Sequence, residues 1–348
     1  MKTSLFLPLA ALSLFAPLAA DAAPAAPMPY QVIRKIPLGG VGGWDYLTVD
    51  PTTRRFYISR GTHLMVLNAD TGKVVGDIPN TNGVHGIALA PKLGRGFTSN
   101  GRDNSVTIVD LKTLKAFGHV KTGDRPDCIL YEPKTRRVFT FNGGSNDATA
   151  IDAVSGKVLG TIALGGRPEF AVADGKGMIY DNIEDKSEIV AIDAQALTVK
   201  ATWPLTPLES PSGLAMDAKS RRLFAVCDGG KMAVVNADTG TVVATLAIGN
   251  GPDAAGFDPA TGSVFSSNGR DGTLTVLHEV TPDTYSLVQA VVTQVGARTM
   301  ALDAKTHNVF LVTATPLPTP PGSEAPPWRR SYAPGSFVVL IVGRKSAR

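Results

Sequence analysis

One phrase occurs twice in this chain. Arg95–Ile108 reads RGFTSNGRDNSVTI, and Ser263–Val276 reads SVFSSNGRDGTLTV. Each copy is two short runs rich in β-branched and aromatic residues, joined by a turn-rich centre, which is the pattern of paired strands. Shorter echoes recur as VLNADTGKVVGDI at 66–78, AIDAVSGKVLGTI at 150–162 and VVNADTGTVVATL at 234–246. Aligned on the residue near the start of each unit, the markers are Asp45, His85, Asp127, Glu169, Ser212, Asp253 and Arg298, spaced by 40, 42, 42, 43, 41 and 45 residues. A repeat of this length with strand-like runs and no helical periodicity is one small sheet. Such a sheet cannot bury its faces alone, so each must pack on the next.

The two ends of the array fit each other. Tyr30–Leu38 (YQVIRKIPL) alternates as a strand but precedes the first complete unit, whereas the seventh unit supplies only three runs, MALDA, NVFLVTA and SFVVLIV. A spare strand at one end and a missing strand at the other predict ring closure. The expected fold is all-β, a seven-bladed β-propeller of four-stranded blades spanning 30–348, with the N-terminal strand closing the last blade. An open solenoid has no use for the spare strand.

Ahead of the array, Lys2 is followed by the apolar run LFLPLAALSLFAPLAA and then by small residues. The run is short and interrupted by proline, as in a secretory leader, so 1–22 is read as a signal peptide cleaved near Ala20–Ala23, and 23–29 as a Pro/Ala linker. No later apolar run is long enough for a transmembrane helix, and a periplasmic or secreted protein is expected. Cys128 and Cys227 fall in non-neighbouring units, too far apart for a disulfide and unlike any zinc spacing, so both are expected to be buried free thiols.

The second strand of several units ends in a recurring tetrad: FTSN at 97–100, FTFN at 139–142, IYDN at 179–182 and FSSN at 265–268. With the period and the leader, this resembles the YVTN-repeat (YncE-like) β-propeller family, whose second strand tends to end in Tyr-Val-Thr-Asn. The literal tetrad is absent, and the other three units carry Arg60, Cys227 and Thr313 at the Asn position. The resemblance implies an exported seven-bladed propeller and assigns no single biochemical role.

Strand direction sorts the loops onto two faces. One should carry the first-to-second and third-to-fourth strand turns, PTTRR, PKTRR, AKSRR and the D-T-G turns, read as structural hairpins. The other should carry the marker ring and, outside it, Arg60, His63, Asn100, Arg102, Asn142, Asn182, Glu184, Asp228, Asn268 and Arg270. Carboxylates and an imidazole pointing into one mouth can share a divalent cation or act as acid and base. Asp45, His85, Asp127, Glu169 and Asp253 are the candidate metal ligands, a divalent cation being the one cofactor this pattern suggests. His85, Glu169 and Arg298 are the candidate catalytic groups, with His85 or Glu169 as base. Arg60, His63, Asn100, Arg102, Asn142, Asn182, Asn268 and Arg270 are candidate ligand contacts, although the four asparagines also suit a capping role. The Asn-Gly pairs are expected to supply the positive φ of tight turns. A Pro-rich insertion at about 314–335 belongs on the same face and adds Trp328, Arg330 and Tyr332 as groups that could stack on or pair with a ligand.

The net charge is +4, without Lys/Arg runs. No phosphate-binding loop, nucleophile elbow, haem motif, zinc-protease helix or DNA-reading module is present, so no specific nucleic-acid partner is expected. The main expectation is an exported binding or interaction protein that takes a small polar or anionic ligand, or a protein partner, at its charged funnel. The alternative is a propeller enzyme, a metal-assisted lactonase, lyase or other hydrolase, with its site in the same place.

Overall fold

A computed structural model describes residues 1, 29–40, 42–318 and 331–344. Residues 2–22 of the leader, and Trp328 and Arg330 of the insertion, lie outside the described residues. Seven antiparallel sheets of four strands follow the seven sequence units. In blades 1 to 6 the strands run in chain order. The last sheet is assembled from both ends: Tyr30–Pro37 pairs with Val338–Arg344, which pairs with Asn308–Thr313, which pairs with Met300–Asp303. The chain is a seven-bladed β-propeller.

The closing strand is held on more than its ladder, which runs from Tyr30↔Arg344 to Pro37↔Val338. The Gln289 amide of blade 6 bonds both the N–H and the carbonyl of Tyr30 at 2.9 Å, and the Tyr30 ring meets Phe265 edge-on at 5.7 Å. At the other seam, Phe56 and Ile58 of blade 1 pack with Phe310, Val312, Val339 and Ile341 of blade 7. The Phe56 and Phe310 rings lie 4.8 Å apart. Burying such side chains contributes about 1.5–3 kcal/mol each, so the seam that closes the ring is held by a hydrophobic core of its own.

Burial is greatest in the second and third strands of each blade and least in the fourth. Second strands such as Arg137–Asn142 are buried on both faces because a blade is pressed on each side, whereas fourth strands such as Val158–Ala163 and Thr198–Pro204 expose most residues. Cys128 and Cys227 are free and buried, in separate interblade cores.

Charged staples link the blades on the face of the D-T-G turns. Asp50, Asp217 and Asp303 accept backbone N–H groups of their own turns. Four residues on, Arg54, Arg221 and His307 hold φ of 58°, 59° and 58°, which points their side chains backwards. Arg54 binds Asp303 of blade 7 through two contacts of 2.8 and 2.7 Å, Arg221 binds Asp174 of blade 4 at 2.9 Å, and His307 meets Asp258 of blade 6 at 2.8 Å. Arg55, Arg95 and Arg137 reach forwards to carbonyls of the following blade.

The Asn-Gly turns differ from expectation. Neither Asn100 nor Gly101 has positive φ; the left-handed residues are Asn104 and Gly272, at the ends of four-residue loops, with φ of 50° and 64°. The glycine is needed for space instead. A Cβ on Gly101 would lie 2.7 Å from His85 Nε2, and one on Gly269 would lie 2.5 Å from Arg298 Cβ, so the small residue lets a ring side chain pass.

Candidate functional site

The marker residues are aimed by a repeated backbone irregularity. In blades 2, 3, 4 and 6 the first strand slips register against the second between Val84 and Ile87, Pro126 and Ile129, Pro168 and Ala171, and Pro252 and Ala254. His85, Asp127, Glu169 and Asp253 sit inside those four slips. A bulge bends the strand and re-aims its side chains, and here it presents one ionisable group per blade at the funnel mouth.

These groups pair across blades. His85 Nδ1 lies 2.6 Å from Asp45 Oδ2 and 3.2 Å from Asp127 Oδ1, joining blades 1, 2 and 3. Arg298 of blade 7 donates to Asp253 of blade 6 at 2.5 Å. Glu169 lies beside Glu184, which pairs with Arg167. The Tyr46 hydroxyl crosses from blade 1 to donate to the Glu169 backbone carbonyl at 2.8 Å, and its ring packs 5.2 Å from Phe170, forming a floor beneath the ring.

Three cavities meet at this ring. The first, of about 380 Å³, is walled by Asp45, Asp127, Glu169, Glu184, Asp228 and Asp253 together with Arg167, Arg270, Arg298 and Tyr332. The second, about 610 Å³ and more open, is bounded by Trp44, Asp45, His85, Arg102, Asn104 and Arg125. A recess of about 50 Å³ lies between His85, Asp127 and Glu169. The Tyr332 ring, from the described part of the insertion, lies 4.7 Å from that of Trp44 and adds an aromatic edge.

Burial and neighbouring charges set the protonation states. Burial opposes a charge on His85, yet Asp127 and Asp45 outweigh it and lift its pKa to about 9. Burial lifts Asp127 to about 6 despite the imidazolium. Glu169 is pushed well above the ordinary carboxylate range, first by burial and then by Asp127 and Glu184. Burial also raises Asp253, while Asp253 holds Arg298 firmly cationic. At neutral pH His85 is therefore an imidazolium, unsuited to accept a proton. Glu169 is the ring residue placed to hold or exchange one.

The other candidates divide. Asn100, Asn142 and Asn268 are buried. Each accepts from a hydroxyl two residues back, Thr98, Thr140 or Ser266, and donates to hydroxyls of the third strand, Thr107, Thr149 or Thr275. Asn182, also buried, donates instead to the Ser212 and Gly213 carbonyls of blade 5. Arg60 is buried at the seam of blades 7 and 1, its guanidinium 3.6 Å above the Phe337 ring, and burial lowers its pKa to about 10. His63 lies 3.7 Å from Asp77, away from the cavities. Arg102 and Arg270 do face the funnel, because the aspartates that follow them bond Asn82 and Asn250 and fix their loops.

Arg125, Arg167 and Tyr46 were missed from sequence. The first two had a visible signal: Arg125-Pro-Asp127 and Arg167-Pro-Glu169 are the same tripeptide pattern, and the arginine two residues before a marker also lies at the funnel. Tyr46 had no such signal, since its role depends on a contact across the ring.

No family model and no curated protein matches the chain. Among solved structures 1764 chains match, a breadth that marks a common architecture. The hydrazine synthase of Kuenenia stuttgartiensis aligns with a TM-score of 0.67 at 17% identity, over 77% of this chain and 92% of that one. A chain of the mitotic checkpoint complex aligns with a TM-score of 0.75 at 14% identity, over 99% and 100%. At such identities the likeness shows the propeller fold alone.

Proposed function

We propose that this chain is an exported β-propeller of the YVTN-repeat type whose funnel binds a small polar ligand. The observation that carries the reading is the 380 Å³ cavity, into which blades 1, 3, 4, 5, 6 and 7 each contribute ionisable or hydroxyl side chains. A concave site with a few convergent polar groups suits a small molecule. Arg298 and Arg167 are occupied by Asp253 and Glu184. Arg270 is thus the group to receive an acceptor or anionic oxygen, and the carboxyl groups receive hydroxyl or amine donors. Export rests on the leader-like sequence, and the tetrads support the family reading.

A second reading is favoured by one observation. An acid whose ionisation is opposed by its surroundings, set beside a second carboxyl that pairs with an arginine, is an arrangement that serves proton transfer in hydrolases, and Glu169, Glu184 and Arg167 have it.

The binding reading is tested by thermal shift of the full chain against panels of amino acids, polyamines and sugar acids, with wild type, Arg270→Ala and Glu169→Gln in parallel. One class should raise the melting temperature of wild type and have less effect on both variants. A wild type that responds to none, or variants that respond equally, would remove the cavity as the site. Turnover of ester or lactone substrates that is lost in Glu169→Gln would move the assignment to the enzyme.

A further inference from the structure

The five candidate metal ligands do not behave as one set. Asp253 is taken up by Arg298, and Glu169 by Glu184. Among the described residues, one group of three brings its ligand atoms together: one oxygen each from Asp45 and Asp127 and a ring nitrogen of His85, all within 4.8 Å of one another. We infer that Asp45, His85 and Asp127 form a binding site for a divalent transition cation, zinc first among them, at the point where the three cavities meet.

The spacing suits an ion. Zinc holds nitrogen and oxygen ligands at about 2.0–2.2 Å, so neighbouring ligand atoms around it stand roughly 3.0–3.5 Å apart. His85 Nδ1 is 3.2 Å from Asp127 and 2.6 Å from Asp45, so carboxylate shifts of a few tenths of an ångström admit the metal. Each ligand comes from the first strand, or its start, in a different one of three successive blades, and two of them, His85 and Asp127, lie in bulges. Two donors are thus set on sheet, and Asp45 stands two residues ahead of its strand with its N–H held by Ser59 Oγ at 2.8 Å.

Access and chemistry agree. Asp45 borders both larger cavities, Asp127 the first and the small recess, and His85 the second and the recess. The trio is therefore partly exposed, and an ion has a route in. Its Nε2 edge packs on Gly101, leaving Nδ1 as the ligating nitrogen. One imidazole with two carboxylates prefers zinc, manganese or iron over calcium, and three protein ligands leave coordination positions open towards the cavity. Arg125 bears on His85 and Arg298 on Asp127. Arg298 is already offset by Asp253, so these cations weaken the site without closing it.

The site does not depend on the funnel's taking an organic ligand, and the test keeps the two apart. The full chain, stripped with chelator, is dialysed against zinc alone and its metal counted, for wild type, His85→Ala, Asp127→Asn and Glu169→Gln. One zinc per chain is expected in wild type and Glu169→Gln, with affinity lower by about 100-fold or more in the other two. Sub-stoichiometric zinc in wild type, or binding that survives both ring substitutions, overturns the site whatever the organic-ligand screen shows. Should either substitution prevent folding, copper(II) loaded on wild type decides: nitrogen hyperfine structure in its electron paramagnetic resonance spectrum is expected, and a spectrum without it refutes the role of His85.

Discussion

The two faces of the propeller use charge in opposite ways. On the face of the D-T-G turns one position repeats one task in three blades: Arg54, Arg221 and His307 each reach backwards from a left-handed position to a carboxylate of the preceding blade. At the funnel the marker position changes from acid to imidazole to hydroxyl to guanidinium around the ring, and its side chains pair with whatever the neighbouring blade offers. Repetition of a charged residue goes with holding blades together. Variation at a position that the backbone repeats leaves a set of groups unlike any single blade's, which is what a specific site requires.

The largest expected effect lies on the repeated face. Asp303 is completely buried and bound through both oxygens by Arg54. Arg54→Ala leaves that carboxylate with only its own turn for partners, and we expect a loss of about 3–5 kcal/mol in chemical denaturation. Arg222, whose partner Asp283 is more than half exposed, should cost under about 1 kcal/mol when changed to alanine. Neither substitution should alter ligand or metal binding in the folded protein. If Arg54→Ala unfolds no more easily than Arg222→Ala, the charges on this face are not structural staples and the contrast between the faces fails.

How far each face was legible follows from the same contrast. The period, the spare strand Tyr30–Leu38 and the incomplete seventh unit are local and repeated, so the blade count, ring closure and the division of loops between faces could be read from the chain. The marker column could be read as a position but not as a set of partners. His85 joins Asp45 and Asp127 from adjacent blades, whereas Tyr46 meets Glu169 from three blades away, and no repeat encodes a contact across a ring. Arg60 and the asparagines show the converse. They share the funnel ends of their strands with exposed groups, but lie a residue or more deeper, where burial commits them to the core. The role of Asn-Gly was misassigned because positive φ and absence of a side chain are separate uses of glycine. Gly101 and Gly269 serve the second.

A middle-sized effect is expected at His85, with a pH signature. Its folded pKa of about 9 exceeds the ordinary value of 6.5. The metal-free protein should therefore have the full stabilisation from this group below pH 6.5 and lose it as pH rises through 9. For a side chain that remains 31% exposed the loss should be on the order of 1–2 kcal/mol after allowance for solvent screening. Asp127, lifted to about 6, titrates below that window. Denaturation midpoints from pH 6 to 10 should fall for wild type and stay flatter for His85→Ala. Parallel profiles would mean that His85 is not held as an imidazolium.

The smallest effect on stability, and the most telling for function, is expected at Glu169. Its folded pKa is raised, so it contributes stability below its unfolded value of about 4.3 and loses it as pH rises through the folded one. Burial and the neighbouring carboxylates oppose its ionised form. Glu169→Gln keeps the shape of the protonated acid, keeps a donor for Glu184, and leaves the backbone carbonyl that Tyr46 binds untouched. It should be neutral or stabilising by up to about 1 kcal/mol at pH 7, the reverse of Arg54→Ala, while weakening the funnel's ligand response. A substitution at a half-buried carboxyl that costs no stability yet removes binding is the behaviour of a site held ready against its own folding energy. A loss of 2 kcal/mol or more would instead show that Glu169 is ionised and spent on structure, and the funnel would then resemble the opposite face.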